Sequence, residues 1–218
     1  VCLSLITPDG ERTMRTNLGV ATDLDHTHID AKSIGASDWL LLEGHLLTAG
    51  EKNSSALRKG IEVAKAGDTK VALNINSEFA ALTQRDQVLA HFLPQIDLII
   101  ANEPEAIALA QRTDPQTAFA ALSSLCPTVI VTCGKEGALI QHEGKHLHVP
   151  AYTRNIQVVD STGAGDAFTG TLLGGLTLGC SIETAAQGAA RLAAAAISQS
   201  GARLPASAAR LWREAIAT

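Results

Sequence analysis

At 218 residues the chain is long enough for one sizeable α/β domain and too short for two full-sized ones, so residues 1–218 are read as a single domain. Apolar residues make up 46% and charged residues 18%, a globular composition, while aromatics at 3% leave the core to Leu, Ile, Val and Ala. The net charge is −5. With no basic face and no Lys or Arg interleaved with aromatics, a nucleic-acid surface is excluded and a small molecule is the expected partner.

The chain opens on a hairpin pattern: residues 1–7 read as a strand, Pro8-Asp9-Gly10 is turn chemistry and residues 12–17 return. Short apolar runs at 39–42, 71–75, 96–101 and 128–133 then alternate with segments of helical period, one of which places Leu57, Ile61 and Ala64 on one face. This alternation predicts right-handed crossovers and a mostly parallel sheet covered by helices on both faces. Residues 135–149 break the rhythm with two strand-like pieces around Glu143-Gly144, an antiparallel excursion at the sheet edge. Helical patterns follow over 165–178, 181–198 and 206–217.

Four cysteines, Cys2, Cys126, Cys133 and Cys180, show no C-x-x-C spacing, so reduced, mostly buried thiols are expected in place of a zinc site or a disulfide scaffold. No apolar run reaches the length of a membrane span and no basic segment precedes the apolar stretch at the N-terminus, which predicts a cytoplasmic protein with no membrane partner. The pairs His26/His28 and His146/His148 would point one way on a strand, but without a third ligand they are read as surface histidines. Gly170, Gly174, Gly175 and Gly179 are read as allowing close helix packing.

In a parallel sheet, ligands bind at the carboxyl ends of the strands, so the residues just after the apolar runs carry the functional reading. VALN ends in Asn74, LIIANEPE brings Asn102 and Glu105, and VIVTCGKEG brings Thr132 and Gly134. In VVDSTGAGDAF, Val158 and Val159 are read as a strand running into Asp160, a Gly163-Ala164-Gly165 turn and a helix that begins near Asp166. Such a turn aims consecutive N–H groups at one point with the positive end of a helix behind them, which makes an anion hole. The same dipole stabilises Asp166 as a carboxylate. A carboxylate beside a phosphate site makes sense when an alcohol lies between them, because Asp accepts the proton while oxygen attacks phosphorus. The competing reading is a glycine-rich helix start with a favourable acidic residue. A dinucleotide fingerprint fits poorly, since Phe168 stands where its third glycine belongs, and no G-x-x-x-x-G-K-[ST] loop occurs.

On these segments the chain resembles the ribokinase-like, or phosphofructokinase-B, family of sugar and nucleoside kinases. DSTGAGDAF is similar to the family's C-terminal signature, NEPEA to its N-x-x-E element, VTCGKEG to its ATP loop and ISQSGAR to its cation-binding tail, in the family's order from Asn74 to Arg203. The resemblance implies a three-layer α/β sandwich and transfer of the γ-phosphoryl group of ATP to a hydroxymethyl group. It makes Asp166 the base and Gly163, Ala164 and Gly165 the anion hole. It places Asn74, Thr132 and Gly134 on ATP, and gives Asn102 and Glu105 the organisation of Mg2+ and its waters. Asp160 and Thr162, with backbone of Ala196 and Gly201, match a monovalent-cation site for K+. A homodimer is also compatible. Asn102 could instead cap the next helix, and Thr132 could be a plain strand end.

The pattern departs from the family at its beginning, where a substrate-binding Asp on the first strand and a glycine-pair motif are expected and do not precede Val1. The opening VCLSLITPDGERTMRTNLG resembles the lid or hairpin stretch of bacterial adenosine-kinase-like members. Arg12 there is a candidate phosphate contact or a solvated hairpin charge, and Asn17 and Glu43 are ambiguous substrate candidates. Two functions are therefore expected to compete: an active sugar or nucleoside kinase, and a nucleotide-binding fragment or interaction module derived from one.

Overall fold

Runs of Leu, Ile, Val and Ala without a charged residue can be strands only where both sides are shielded from water. The computed structural model describes residues 2–7, 12–154, 156–204 and 208–216. In it β1 (Cys2–Ile6) and β2 (Arg12–Thr16) form an antiparallel hairpin, and the turn at Pro8-Asp9-Gly10 lies outside the described residues. The helix α1 (Ala31–Gly35), β3 (Trp39–Glu43), α2 (Glu51–Lys65), β4 (Lys70–Asn74), α3 (Glu78–Thr83), α4 (Arg85–Gln87) and β5 (Leu98–Asn102) follow. Then come α5 (Glu103–Ala110), α6 (Pro115–Ser123), β6 (Thr128–Thr132), β7 (Ala138–His142), β8 (Lys145–Val149), α7 (Ala164–Thr177), α8 (Ile182–Ile197) and α9 (Ala208–Ile216). The chain divides into two compact units, one of Leu18–Cys133 and Leu139–Leu147, the other of Val1–Asn17, Gly134–Ala138 and His148–Thr218.

The larger sheet has the strand order β3-β4-β5-β6-β7-β8, with β3 to β6 parallel. Each of these parallel strands lies next to its successor. Right-handed crossovers in one constant direction put all the connecting helices on one face. The core agrees: Leu57, Ile61 and Ala64 of α2, Leu109 of α5 and Phe119 of α6 share one cluster with Val71, Leu73, Ile99, Ala101, Val129 and Val131. The alternate residues Ala72, Leu98, Ile100 and Ile130 are buried too, so both faces of the central strands are dry. Short polar side chains start the helices, with Ser77, Asn102 and Asp114 each accepting a backbone N–H at the head of α3, α5 and α6. At the sheet edge β7 turns into β8 through Glu143 and Gly144, both left-handed (φ 50° and 75°), the backbone of a two-residue hairpin turn.

In the second unit α7 packs on α8 where Gly175 faces Ala185, since a Cβ on Gly175 would stand 2.9 Å from that of Ala185. Gly174 makes room for the Trp212 ring of α9. Gly170 and Gly179 do not serve packing. The space beside each is open, and Gly179 takes the left-handed backbone (φ 81°) just past the end of α7. Arg191 lies over the Tyr152 ring at 5.8 Å and reaches Glu214 at 3.4 Å, which ties α8 to α9.

The strand read at Val158 and Val159 is corrected, while the four histidines are exposed as read. Val158 and Val159 form no strand; they are 57% and 43% exposed, and the N–H groups of Val159 and Asp160 both go to the Ile197 carbonyl at the end of α8. His26 and His28 sit in a 3-10 turn rather than a strand, where Asp25 accepts from Thr27 and contacts His28 at 2.9 Å. His146 and His148 stay on β8 but are taken up locally, His146 edge-on to Phe119 and His148 against the Glu136 carbonyl.

Gly137 yields a stability prediction. Its backbone is left-handed (φ 92°), and a Cβ there would run into the Val149 carbonyl oxygen. Gly137→Ala should cost about 2–3 kcal/mol by steric and backbone strain, a fall of about 5–10 °C in melting temperature for a chain of this size. A melting curve unchanged from wild type would refute the tight approach.

Candidate active site

Parallel register lines up the strand ends of the first unit. Glu43 pairs with Asn74, and Asn102 with Thr132, so polar residues that follow four apolar runs fall along one sheet edge. Asn74 is buried and Thr132 is half-buried. Asn102 is the N-cap of α5: its Oδ1 accepts from the Glu105 N–H at 2.9 Å, while Glu105 Oε2 accepts from the Asn102 N–H at 3.0 Å. This reciprocal capping box is completed by Asn102 Nδ2, which donates to Glu105 Oε1 at 3.0 Å. The Asn76 N–H bears on the same carboxylate and lowers its pKa. The capping alternative for Asn102 is thus observed directly, and Glu105 is its partner.

Glu105 is 5% exposed. Burial pushes its pKa above the ordinary carboxylate value; the donors from Asn102 and Asn76 oppose that shift, and the charge of Glu43 adds to it. Glu43 in turn accepts from Asn76 Nδ2 at 2.7 Å and lies 3.7 Å from His45 Nδ1. Magnesium would have to share the Glu105 oxygens with several N–H donors, which suits a cation held through its own water shell rather than ligated directly. Among the described residues no group of three His, Cys, Asp or Glu side chains is arranged to hold a metal ion.

The second unit carries the glycine-rich loop. Gly163 is the N-cap of α7 with a left-handed backbone (φ 81°, ψ 2°), and a Cβ there would stand 2.5 Å from the Ala202 carbonyl oxygen, so only glycine fits. The Ala164 N–H reaches Ser161 O at 3.4 Å and the Ala167 N–H reaches Gly163 O at 2.8 Å. Between them lie the N–H groups of Gly165 and Asp166, first-turn donors that a helix cannot satisfy from within. Asp166 is exposed in this turn, and Gly165 has open space beside it. Such a helix head favours an anion.

Asp160 is buried and does different work. Its Oδ1 accepts from the Thr162 N–H at 2.9 Å and Oγ1 at 2.6 Å, and its Oδ2 from the Gly201 N–H at 2.9 Å. Asp160, Thr162 and Gly201 are thereby brought together, and Ala196 is buried on α8 beside Ile197. Gly134 is left-handed (φ 51°) with open space around it. Arg12 falls in β2, but its side chain lies outside the described residues. Asn17 is exposed in the second unit, whereas Glu43 belongs to the first. The reading of the sequence missed Asn76 and Ala202. Asn76 gave one faint signal, as a residue that tolerates a left-handed backbone just after a strand; nothing in the sequence marks an alanine that backs a glycine.

Because the folded pKa of Glu105 is raised, the folded state holds a proton that the unfolded chain releases near the ordinary value of 4.5. Stability should therefore fall as pH rises from that value and level off above the folded one. Glu105→Gln removes the titration. Melting temperatures taken from about pH 4 to about pH 8 should show a shallower decline in the variant, and parallel profiles would count against a strained carboxylate.

Known proteins similar to this chain point to one family. Residues 1–209 match the model of the pfkB family carbohydrate kinases. An adenosine kinase of Saccharomyces cerevisiae is 30% identical over 217 residues, covering 94% of this chain and 62% of that protein. Among solved structures, an adenosine kinase from Sinorhizobium meliloti superposes with a TM-score of 0.93 at 29% identity, over 98% of this chain and 65% of its own. A probable sugar kinase protein from Rhizobium etli CFN 42 gives the same TM-score at 27% identity, over 98% and 64%. The chain thus spans just under two thirds of the length of these relatives, and its fold is the ribokinase-like α/β fold with a mostly parallel six-stranded sheet. On the match over 209 of its residues, the chain belongs to the pfkB family of carbohydrate kinases.

Proposed function

We propose that this chain carries the nucleotide-binding and catalytic part of an ATP-dependent phosphotransferase whose acceptor is a hydroxymethyl group of a sugar or nucleoside, with Asp166 as base. The observation that carries the proposal is the head of α7, where a glycine that only glycine can replace turns unsatisfied N–H donors outward beside an exposed carboxylate. The acceptor hydroxyl gives its proton to Asp166 as its oxygen bonds to the γ-phosphorus and the bond to the departing ADP oxygen breaks. The turn of Gly163 and Ala164 presents the N–H donors of Gly165 and Asp166, which take the charge on the transferring group. Asn74, Thr132 and Gly134 hold the nucleotide, and Asn102 and Glu105 orient the waters of a magnesium ion. That ion supplies charge neutralisation between the phosphates.

The acceptor class is proposed as nucleoside-like, since the adenosine kinases of yeast and Sinorhizobium meliloti are similar to this chain over most of its length. A potassium ion beside Asp160, Thr162, Ala196 and Gly201 would order the loop that leads to the anion hole. The second reading is a nucleotide-binding fragment or interaction module that does not turn over. Calorimetry with Mg·ATP and an ATP-consumption assay with adenosine, ribose and fructose separate the two. The chain by itself should bind Mg·ATP more readily than it phosphorylates any acceptor, and efficient turnover would reject that expectation.

Asp166→Asn keeps the size and the helix start while deleting the proton acceptor. In the active enzyme it should lower kcat by about two to four powers of ten, the range for a general base, with ATP affinity retained. If activity survived, or if ATP binding and folding were lost together, Asp166 would be a helix-start residue and nothing more. Asp160→Asn should act elsewhere, by removing any advantage of potassium over a large organic cation in ATP affinity. An equal response to both cations in the wild type would argue against the cation site.

A further inference from the structure

The loops after β3 and β4 meet at a contact that permits no side chain: a Cβ on Gly44 would stand 2.6 Å from the Ile75 carbonyl oxygen. The next residue, Asn76, is one of the few described non-glycine residues with a left-handed backbone (φ 54°). That conformation sends its two donor groups to different carboxylates. Its side-chain Nδ2 donates to Glu43 Oε2 at 2.7 Å, and its backbone N–H bears on Glu105, whose pKa it lowers. Glu43 ends β3, and Glu105 lies in the first turn of α5 after β5. The two charges repel each other, so without a donor between them both carboxylates would be pushed towards water.

Asparagine suits this position for two reasons. It is among the residues that enter the left-handed region at least cost, and it carries an amide donor that aspartate lacks. Glycine could supply the backbone but not the grip on Glu43. A β-branched residue could supply neither.

We propose that Asn76 is a positioning residue that fixes Glu43 through its side chain and Glu105 through its backbone, so that the carboxylate assigned to magnesium water keeps its place. The inference rests on the kinase reading above. It adds a residue that acts through the carboxylate assigned to magnesium water and through the neighbouring Glu43.

Two variants of the full chain separate the arms. Asn76→Gly keeps the left-handed backbone and deletes the side chain; Asn76→Val deletes the side chain and also opposes the backbone. Carboxyl carbon NMR resolves the two glutamates, and calorimetry with Mg·ATP at several magnesium concentrations reads the site. In Asn76→Gly the Glu43 signal should move, the Glu105 signal should stay and Mg·ATP affinity should hold within about twofold. In Asn76→Val both signals should move and affinity should fall about tenfold, the usual loss when an outer-shell partner is removed. Unmoved signals in both variants, or equal affinity in wild type and Asn76→Val, would overturn the role of Asn76. A wild-type chain that fails to bind Mg·ATP would instead overturn the kinase reading, while the two carboxyl signals still decide whether Asn76 holds the glutamates.

Discussion

The central parallel strands β4 to β6, whose side chains are buried on both faces, can carry no polar group along their middles without an expensive desolvation. Polar residues are therefore driven to the strand ends, and parallel direction with tight register places those ends along one edge. Glu43, Asn74, Asn102 and Thr132 are consequences of that constraint before they are anything else. The loops that follow are held by equally local rules: Gly44 by its contact with Ile75, Asn76 by its left-handed turn, and Asn102 by its cap. A binding edge follows from a sheet that must keep its middle dry.

Much of this was legible in the residues. Uninterrupted apolar runs gave β3 to β6 within a few positions, since nothing else can be made of Val-Ile-Val or Leu-Ile-Ile between helical segments. The Gly-Ala-Gly turn was equally plain, because only glycine serves at Gly163. What failed was the pair Val158 and Val159. A β-branched pair before a turn reads as a strand, yet its N–H groups were claimed by a carbonyl at the end of α8, nearly forty residues on. No local pattern records such a partner. The same holds for Ala202 behind Gly163 and for Asn76 between two glutamates. These are matters of tertiary neighbourhood, and the sequence shows only that the residues permit them.

Three acidic residues illustrate how environment divides the roles of one chemical group. Asp160 is buried and takes donors from Thr162 and Gly201, so its carboxylate ties the loop together. Asp166, six positions on, is exposed in the first turn of α7, free of such a network and next to donors that a helix leaves unfilled. Glu105 is buried like Asp160, but at a helix head, where its donors come from the residue it caps. A base must be reachable and a tie must be satisfied. The two aspartates of the glycine-rich loop meet one condition each.

The capping and the magnesium readings of Asn102 and Glu105 are not rivals. An exposed capping box needs no burial, and its Glu would ordinarily stay in water. Here the box is sunk until Glu105 is 5% exposed, which raises its pKa and puts it near the like charge of Glu43. Burial of a carboxylate costs several kcal/mol when nothing compensates it, and about 1 kcal/mol of capping stability does not explain why the position would tolerate that cost. The donors from Asn102 and Asn76 recover part of it. A nearby cation would recover more, because it relieves both the desolvation of Glu105 and its repulsion by Glu43. The cap fixes where the carboxylate is, and the unrelieved part of its charge is what a hydrated magnesium ion would answer.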